Sequence, residues 1–130
     1  MSNRKEPKVT GIGSVMFFAN DPKATREWYA KNLNMNMSEW GTTFESRNFD
    51  NPEQLESTQW CPTKQGSDYF APSEKPFMIN YRVQNIEGLI EQLQNNGVTF
   101  VGELIHNKFG KFIHILDTDG NKLELWEPAE

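Results

Sequence analysis

Apolar and polar positions along this chain follow two rhythms, one strand-like and one helical, and the pair occurs twice. The stretch from Val9 to Ala19, "VTGIGSVMFFA", is rich in Val, Ile and Phe and reads as a strand. In "DPKATREWYAKNL", Asp21 offers a side-chain acceptor to a helix's first free N–H groups, and Pro22 suits the first helical position because its missing N–H is harmless there. Ala24, Trp28 and Leu33 are the expected packed face. "MNMSEW", "TTFESRNF" and "ESTQWCPT" read as three more strands, with "NPEQ" and the longer "KQGSDYFAPSEKP" as loops by their Pro, Gly, Ser and Asp content.

The chain then starts over. "FMINYRV" reads as a strand and Asn85 as the next cap, after which Ile86, Leu89, Ile90 and Leu93 fall at i, i+3, i+4 and i+7 of an amphipathic helix that stops at Gly97. "VTFVGELI", "KFIHIL" and "KLELWE" follow as strands, the last two joined through "DTDGN" as a hairpin. An offset of 64 residues lays Asp21 on Asn85, Tyr29 on Leu93 and Phe17 on Tyr81: cap on cap, helix on helix, strand on strand. The expected architecture is therefore α+β, one domain over 1–130 built from two βαβββ units at 9–63 and 77–128.

Composition narrows the partners. A net charge of −5 argues against nucleic acid or an anionic membrane surface, and the basic opening "MSNRKEPK" reads as a frayed tail. With no long apolar run and no signal-peptide pattern, the expectation is a soluble cytoplasmic protein. One cysteine, Cys61, rules out an internal disulfide and a zinc site built on several thiolates; in a strand it reads as a small buried hydrophobe.

The hairpin "ILDTDGNKLELWEP" carries the chemistry, because Glu124 puts a carboxylate in the middle of an apolar strand. If "TDG" makes the turn, Asp117 faces Asn121 and His114 faces Glu124, about 5 Å apart on one face. A carboxylate beside an imidazole can act as a general acid and base pair, which makes Glu124 and His114 the candidate catalytic residues. The same two residues can equally form a satisfied polar pair, or lie on a solvated face. His106, the only other histidine, falls at a strand end or loop where exposure is the default.

The repeated unit, "NDPKATREWYAKNLNM" near the start and "FIHILDTDGNKLELWEP" at the end, resembles the vicinal oxygen chelate superfamily, which includes glyoxalase I, bleomycin-resistance proteins and extradiol dioxygenases. The likeness runs from Val9 to Pro128, with Asn34 standing where the family usually has Gly. It implies a sheet curled into an open cup, a homodimer, and in many members a divalent ion held by His, Gln and Glu on the opening and closing strands. Laid on this sequence, those positions fall at Ser14, Met78, Glu124 and either Gln59 or Trp60. A thioether is a soft donor and an uncharged hydroxyl a weak one, so the expectation is no cofactor, with Glu124 as a metal ligand only if a metal binds at all.

If Ser14 and Met78 face the cup, the period of two along a strand puts Met16, Phe18, Asn80 and Arg82 there as well, and Val15, Phe17, Ile79, Tyr81 and Val83 on the helix side. Trp126 shares Glu124's face. The expected ligand-binding residues are Ser14, Phe18, Met78, Asn80, Arg82 and Trp126: apolar walls with sparse polar groups, as in a small-molecule pocket. The joining loop, with Tyr69 and Phe70, would lid the cup or reach a second subunit. Three functions stand side by side: a cup that binds or sequesters a small aromatic or cationic compound without metal, a glyoxalase-type lyase or isomerase using Glu124 with His114 or a non-standard metal site, and a non-catalytic subunit of an assembly.

Overall fold

The computed structural model describes residues 5–130. It contains β1 (Lys8–Ala19), α1 (Pro22–Leu33), β2 (Thr42–Arg47), β3 (Leu55–Lys64), β4 (Phe77–Gln84), α2 (Ile86–Asn95), β5 (Ile105–Asn107), β6 (Gly110–Leu116) and β7 (Lys122–Pro128). The class is α+β. All strands join one seven-stranded, mostly antiparallel sheet in the order β2-β3-β1-β4-β7-β6-β5. The two halves of the chain meet at the antiparallel β1–β4 pair, and each closes by a parallel pair, β1 with β3 and β4 with β7.

Local chemistry starts both helices as expected. The Asp21 carboxylate accepts from Ala24 N at 3.2 Å, and the Asn85 side chain accepts from Gly88 N at 3.1 Å. Glu127 Oε1 takes the Ile86 N–H at 2.8 Å, so the last strand also caps α2. Ile86 and Leu89 then bury against Val83, Ile113, Ile115 and Leu125. Each such side chain contributes about 1.5–3 kcal/mol of transfer free energy. Asn34 ends α1 with φ 56°, a left-handed position that Asn tolerates almost as Gly does.

Four expectations need correcting. The packed face of α1 runs through Thr25, Tyr29 and Ala30, whereas Ala24, Trp28 and Leu33 are exposed. The reason is aromatic: Tyr29 meets Trp60 at 4.7 Å, and Trp60 meets Phe17 at 5.1 Å, which fixes the helix's rotation. "MNMSEW" is not a strand, because Ser38 N and Oγ both bond Gly41 O, so this backbone closes a local turn instead of joining a ladder. The first half is thus βαββ, one strand shorter than expected. "VTFVGELI" is not one strand: Phe100 makes an isolated bridge to Ile115, Gly102 (φ 85°) then turns the chain, and Ile105 opens the short β5, which pairs lower down β6. Finally, of the opening segment, residues 1–4 lie outside the described residues, while Lys5 O and Glu6 O accept from Asn85 Nδ2 and Gln84 Nε2, so the part that follows is pinned. Among the described residues no helix is long and apolar enough to cross a membrane.

Candidate functional site

The hairpin register is the one the turn chemistry demands. Asp117 Oδ1 accepts from Asp119 N and Asn121 N, both at 2.9 Å, and Asp117 N donates to Asn121 O at 3.0 Å. The Asn121 side chain, which donates from Nδ2 to Asp117 Oδ2 at 2.9 Å, and then the Asn121 N–H hold the Asp117 carboxyl below the usual range. The turn sets His114 opposite Glu124, and the parallel β4–β7 pairing sets Asn80 beside Glu124 on the other side. Three neighbouring strands thus deliver three polar side chains to one spot.

There, Glu124 is buried and every bond it makes is as an acceptor. Oε1 accepts from Asn80 Nδ2 at 2.7 Å, Oε2 lies 2.8 Å from His114 Nε2, and Oε2 also accepts from the Tyr69 hydroxyl. Burial raises the affinity of this carboxyl for a proton, but the hydrogen bonds from His114, Tyr69 and Asn80 outweigh it, so Glu124 lies below the usual carboxylate range and is ionised at neutral pH. Burial and then the Glu124 charge hold the Tyr69 phenol far above its ordinary range, so it stays a donor.

Tyr69 arrives on the loop joining the halves. Phe70, 1% exposed, stacks on Phe18 with ring centroids 4.6 Å apart, and Lys122 Nζ donates to Tyr69 O at 2.6 Å while lying over its ring. The loop is therefore folded onto its own chain's cup. This divides the expected ligand-binding residues. Phe18 packs under Phe70 and Met78 is fully buried. Ser14 is buried with Cys61 Sγ 4.0 Å from its hydroxyl, and burial raises the Cys61 thiol. Asn80 is engaged with Glu124, while Arg82 and Trp126 line a separate open space.

That space is a hollow of about 1160 Å³ at the end of the sheet, bordered by Arg82 and Trp126 from one face and by Val83, Glu87, Lys111 and Glu127 from the other. Trp126 stands beside Arg82 in register, its ring parallel to Phe112 within 8° and its Nε1 donating to Phe109 O at 2.8 Å. Two glycines make room for this layer. A Cβ on Gly13 would sit 2.2 Å from Asn80 Oδ1 and 2.8 Å from Trp126, and one on Gly11 would sit 2.6 Å from Arg82 Nη1. His106 is exposed on β5 and also borders the hollow.

Three partners were missed in the sequence: Tyr69 as Glu124's third donor, Glu56 as the ion-pair partner of Arg82, and Cys61 beside Ser14. Of the two residues considered beside Ser14, Trp60 packs on the other face with Tyr29, and the Gln59 amide is engaged by Thr43 and Ser57. No local signal marks any of these contacts, since each spans a loop of uncertain length.

Of the positions that the resemblance suggests for a metal, Ser14, Met78 and Glu124 remain once Gln59 and Trp60 are set aside, and Cys61 lies against Ser14. This set of hydroxyl, thioether and neutral thiol does not fit a hard divalent ion, and the one carboxylate already accepts on both oxygens. Among the described residues no group of three or more His, Cys, Asp or Glu side chains converges as a metal site.

An open sheet from two fused halves, with a buried polar cluster on one face, defines a class of cup-shaped α+β proteins. The sequence profile of the Glyoxalase/Bleomycin resistance protein/Dioxygenase superfamily matches residues 11–125, and the chain belongs to that family. Among solved structures, it is similar to a methylmalonyl-CoA epimerase from Mycobacterium tuberculosis (21% identity, TM-score 0.60, covering 94% of this chain and 90% of that one). A Streptomyces coelicolor methylmalonyl-CoA epimerase in complex with 2-nitronate-propionyl-CoA gives 15% identity and TM-score 0.68, covering 95% and 100%. A superfamily member from Vibrio splendidus 12B01 gives 10% identity and TM-score 0.57, covering 88% and 96%. At these identities the likeness establishes the fold. No curated protein matches the chain in sequence.

Proposed function

We propose that this protein is a metal-independent small-molecule-binding member of its superfamily, of the bleomycin-resistance kind, holding an aromatic compound in the open half of the cup. The observation that carries the reading is the engagement of both Glu124 oxygens by three donors, Asn80 on Oε1 and His114 and Tyr69 on Oε2. A general base is most effective with a pKa near the working pH, whereas these donors drive Glu124 down and engage both of its oxygens. The pair with His114 then serves to hold the cup's shape, and the hollow beside Trp126 is where a ligand has room. The ring of Trp126, backed by Phe112, supplies the flat apolar wall. A second copy covering the exposed Trp28, Leu33 and Trp40 would complete a homodimer, measurable by light scattering.

A test separates this from catalysis. Protein purified without added metal is analysed for bound elements, titrated with Ni, Zn, Mn and Fe by thermal shift, and screened against aromatic and cationic compounds by tryptophan fluorescence. Ligand-induced quenching that survives chelation and is lost in Trp126→Phe supports the reading. Stoichiometric metal that disappears in Glu124→Gln overturns it.

One observation favours a second reading, an isomerase moving a proton with Glu124 and His114. Tyr69 is carried on a loop, so its withdrawal would free Glu124 Oε2 for a substrate hydroxyl or enol. Two of the structural neighbours are epimerases by name. Solvent-deuterium exchange into a bound carbonyl compound, abolished by Glu124→Gln, would establish it.

A further inference from the structure

The two halves of the sheet end differently. In the second half, β6 is covered on its outer side by β5, Ile105 pairing with Phe112 and Asn107 with Gly110. Its counterpart in the first half, β2, has no strand beyond it among the described residues, because "MNMSEW" closes on itself instead of joining the ladder. The place of a fourth strand is therefore vacant beside Thr42–Arg47. Exposed edges are commonly guarded by Lys, Pro or a bulge, and β2 pairs with β3 in unbroken register with none of these.

The free edge has a defined set of backbone groups. Asn48 N donates to Gln54 O at 3.0 Å, one step beyond the Arg47–Leu55 pair. Successive residues of an antiparallel strand turn their N–H and C=O to opposite sides, so Phe44 and Ser46 also address β3. Thr43, Glu45 and Arg47 then present theirs to the vacant side.

Charge selects what fits there. Glu45 and Arg47 are exposed, opposite in sign and on one face, which makes the edge self-complementary. Two such strands meeting antiparallel about a twofold axis on Glu45 would set carboxylate against carboxylate. An axis on Phe44 leaves both charges without an opposite. An axis on Ser46 sets each Glu45 across from the other copy's Arg47, and both bring outward backbone groups to the pair. Phe49, 96% exposed, then falls opposite Thr43 of the second copy.

Apolar surface lies along the same seam. Phe44, 49% exposed, shares the side of Trp60, where Tyr29 of α1 packs. Pairing at the edge continues the sheet, so a second α1 comes to that side, where Trp28 and Leu33 are exposed. A standard interface buries at least about 1,200 Å² in all, so these side chains, more than the short ladder, supply its area.

Resting on the homodimer proposed above, we infer that β2 is its seam. The β2 strands of two copies pair antiparallel about Ser46, with Glu45 of each opposite Arg47 of the other, and join two sheets into one.

Charge swaps and cross-linking test this on the full chain. Light scattering across a dilution series gives the dimer's Kd. Glu45→Arg and Arg47→Glu each set like charges opposite one another twice, and each should weaken the dimer about tenfold. The double variant Glu45→Arg/Arg47→Glu restores both pairs and should return to within about threefold of the wild type. Residues on the axis come within about 4.5 Å between Cα atoms, inside disulfide range, so Ser46→Cys treated with diamide should give a covalent dimer. Phe44→Cys, one pair off the axis, should not. Single swaps without effect, a double variant no better than the singles, or cross-linking through Phe44→Cys in preference to Ser46→Cys overturns the inference while leaving the homodimer standing. A wild type that is monomeric throughout the series overturns both.

Discussion

Replacing Tyr69 with Phe deletes one hydroxyl and leaves the ring, so it isolates a single hydrogen bond to a buried carboxylate. The aromatic contacts with Phe70, His114 and Lys122 need only the ring, and Lys122 Nζ bonds the Tyr69 backbone oxygen, which the variant keeps. A hydrogen bond to a charged group contributes about 1.5–3 kcal/mol. Tyr69 as a whole is 44% exposed although its hydroxyl is turned to buried Glu124, so solvent screening discounts the bond and the low end, about 1.5 kcal/mol at neutral pH, is the expected loss. For a domain of this size that is a fall in Tm of roughly 3–6 °C. The effect has a predictable pH dependence. Glu124's folded-state pKa is depressed, so its stabilisation is present above its unfolded-state pKa and is lost as pH falls through the folded value. Without the phenol, burial meets only His114 and Asn80, the folded pKa rises, and the variant loses this stabilisation at higher pH than the wild type. Once Glu124 is protonated in both proteins, most of the difference disappears. Urea unfolding monitored by tryptophan fluorescence, repeated from neutral pH down to about pH 3.5, checks both parts. A loss below about 0.3 kcal/mol at neutral pH, or one independent of pH, would refute the account of Glu124 as a carboxylate held by three donors.

Three other perturbations bear on the same face. Gly13→Ala drives a methyl into Asn80 Oδ1 and Trp126, and chemical denaturation should show a loss of about 1–3 kcal/mol together with a changed tryptophan spectrum. Phe70→Ala removes a ring that is 1% exposed, and is expected to lower stability by about 3 kcal/mol and to open the joining loop to limited proteolysis between Lys64 and Phe77. The double variant Ser14→His/Met78→His restores two imidazoles at cup positions beside Glu124, and nickel or zinc should then raise its Tm while leaving the wild type unmoved.

Much of the local structure was legible in the residues. Asp21 and Asn85 mark their helices because a short polar side chain answers free N–H groups in its own vicinity. The face of α2 follows from apolar spacing, and the His114–Glu124 pairing from a turn in which Asp117 bonds its neighbours. The period of two also placed Phe17 and Tyr81 on the helix side and Asn80 and Arg82 on the other. The rotation of α1 was not legible, because Trp28 and Tyr29 are both large and aromatic, and only Trp60 on β3 selects between them.

The site divides along the same line. Short-range chemistry, acting over one turn, put Glu124 and His114 on a common face, whereas Asn80 joins them only through the parallel pairing of β4 with β7. Tertiary structure decided that Tyr69 crosses 55 residues of sequence to bond Glu124, and that Glu56 stands across Gly11 from Arg82. It also decided that the joining loop covers one half of the cup and leaves the other open. Contacts of that kind depend on how a loop closes and which side chain reaches a buried group first, and neither leaves a periodic trace in the chain.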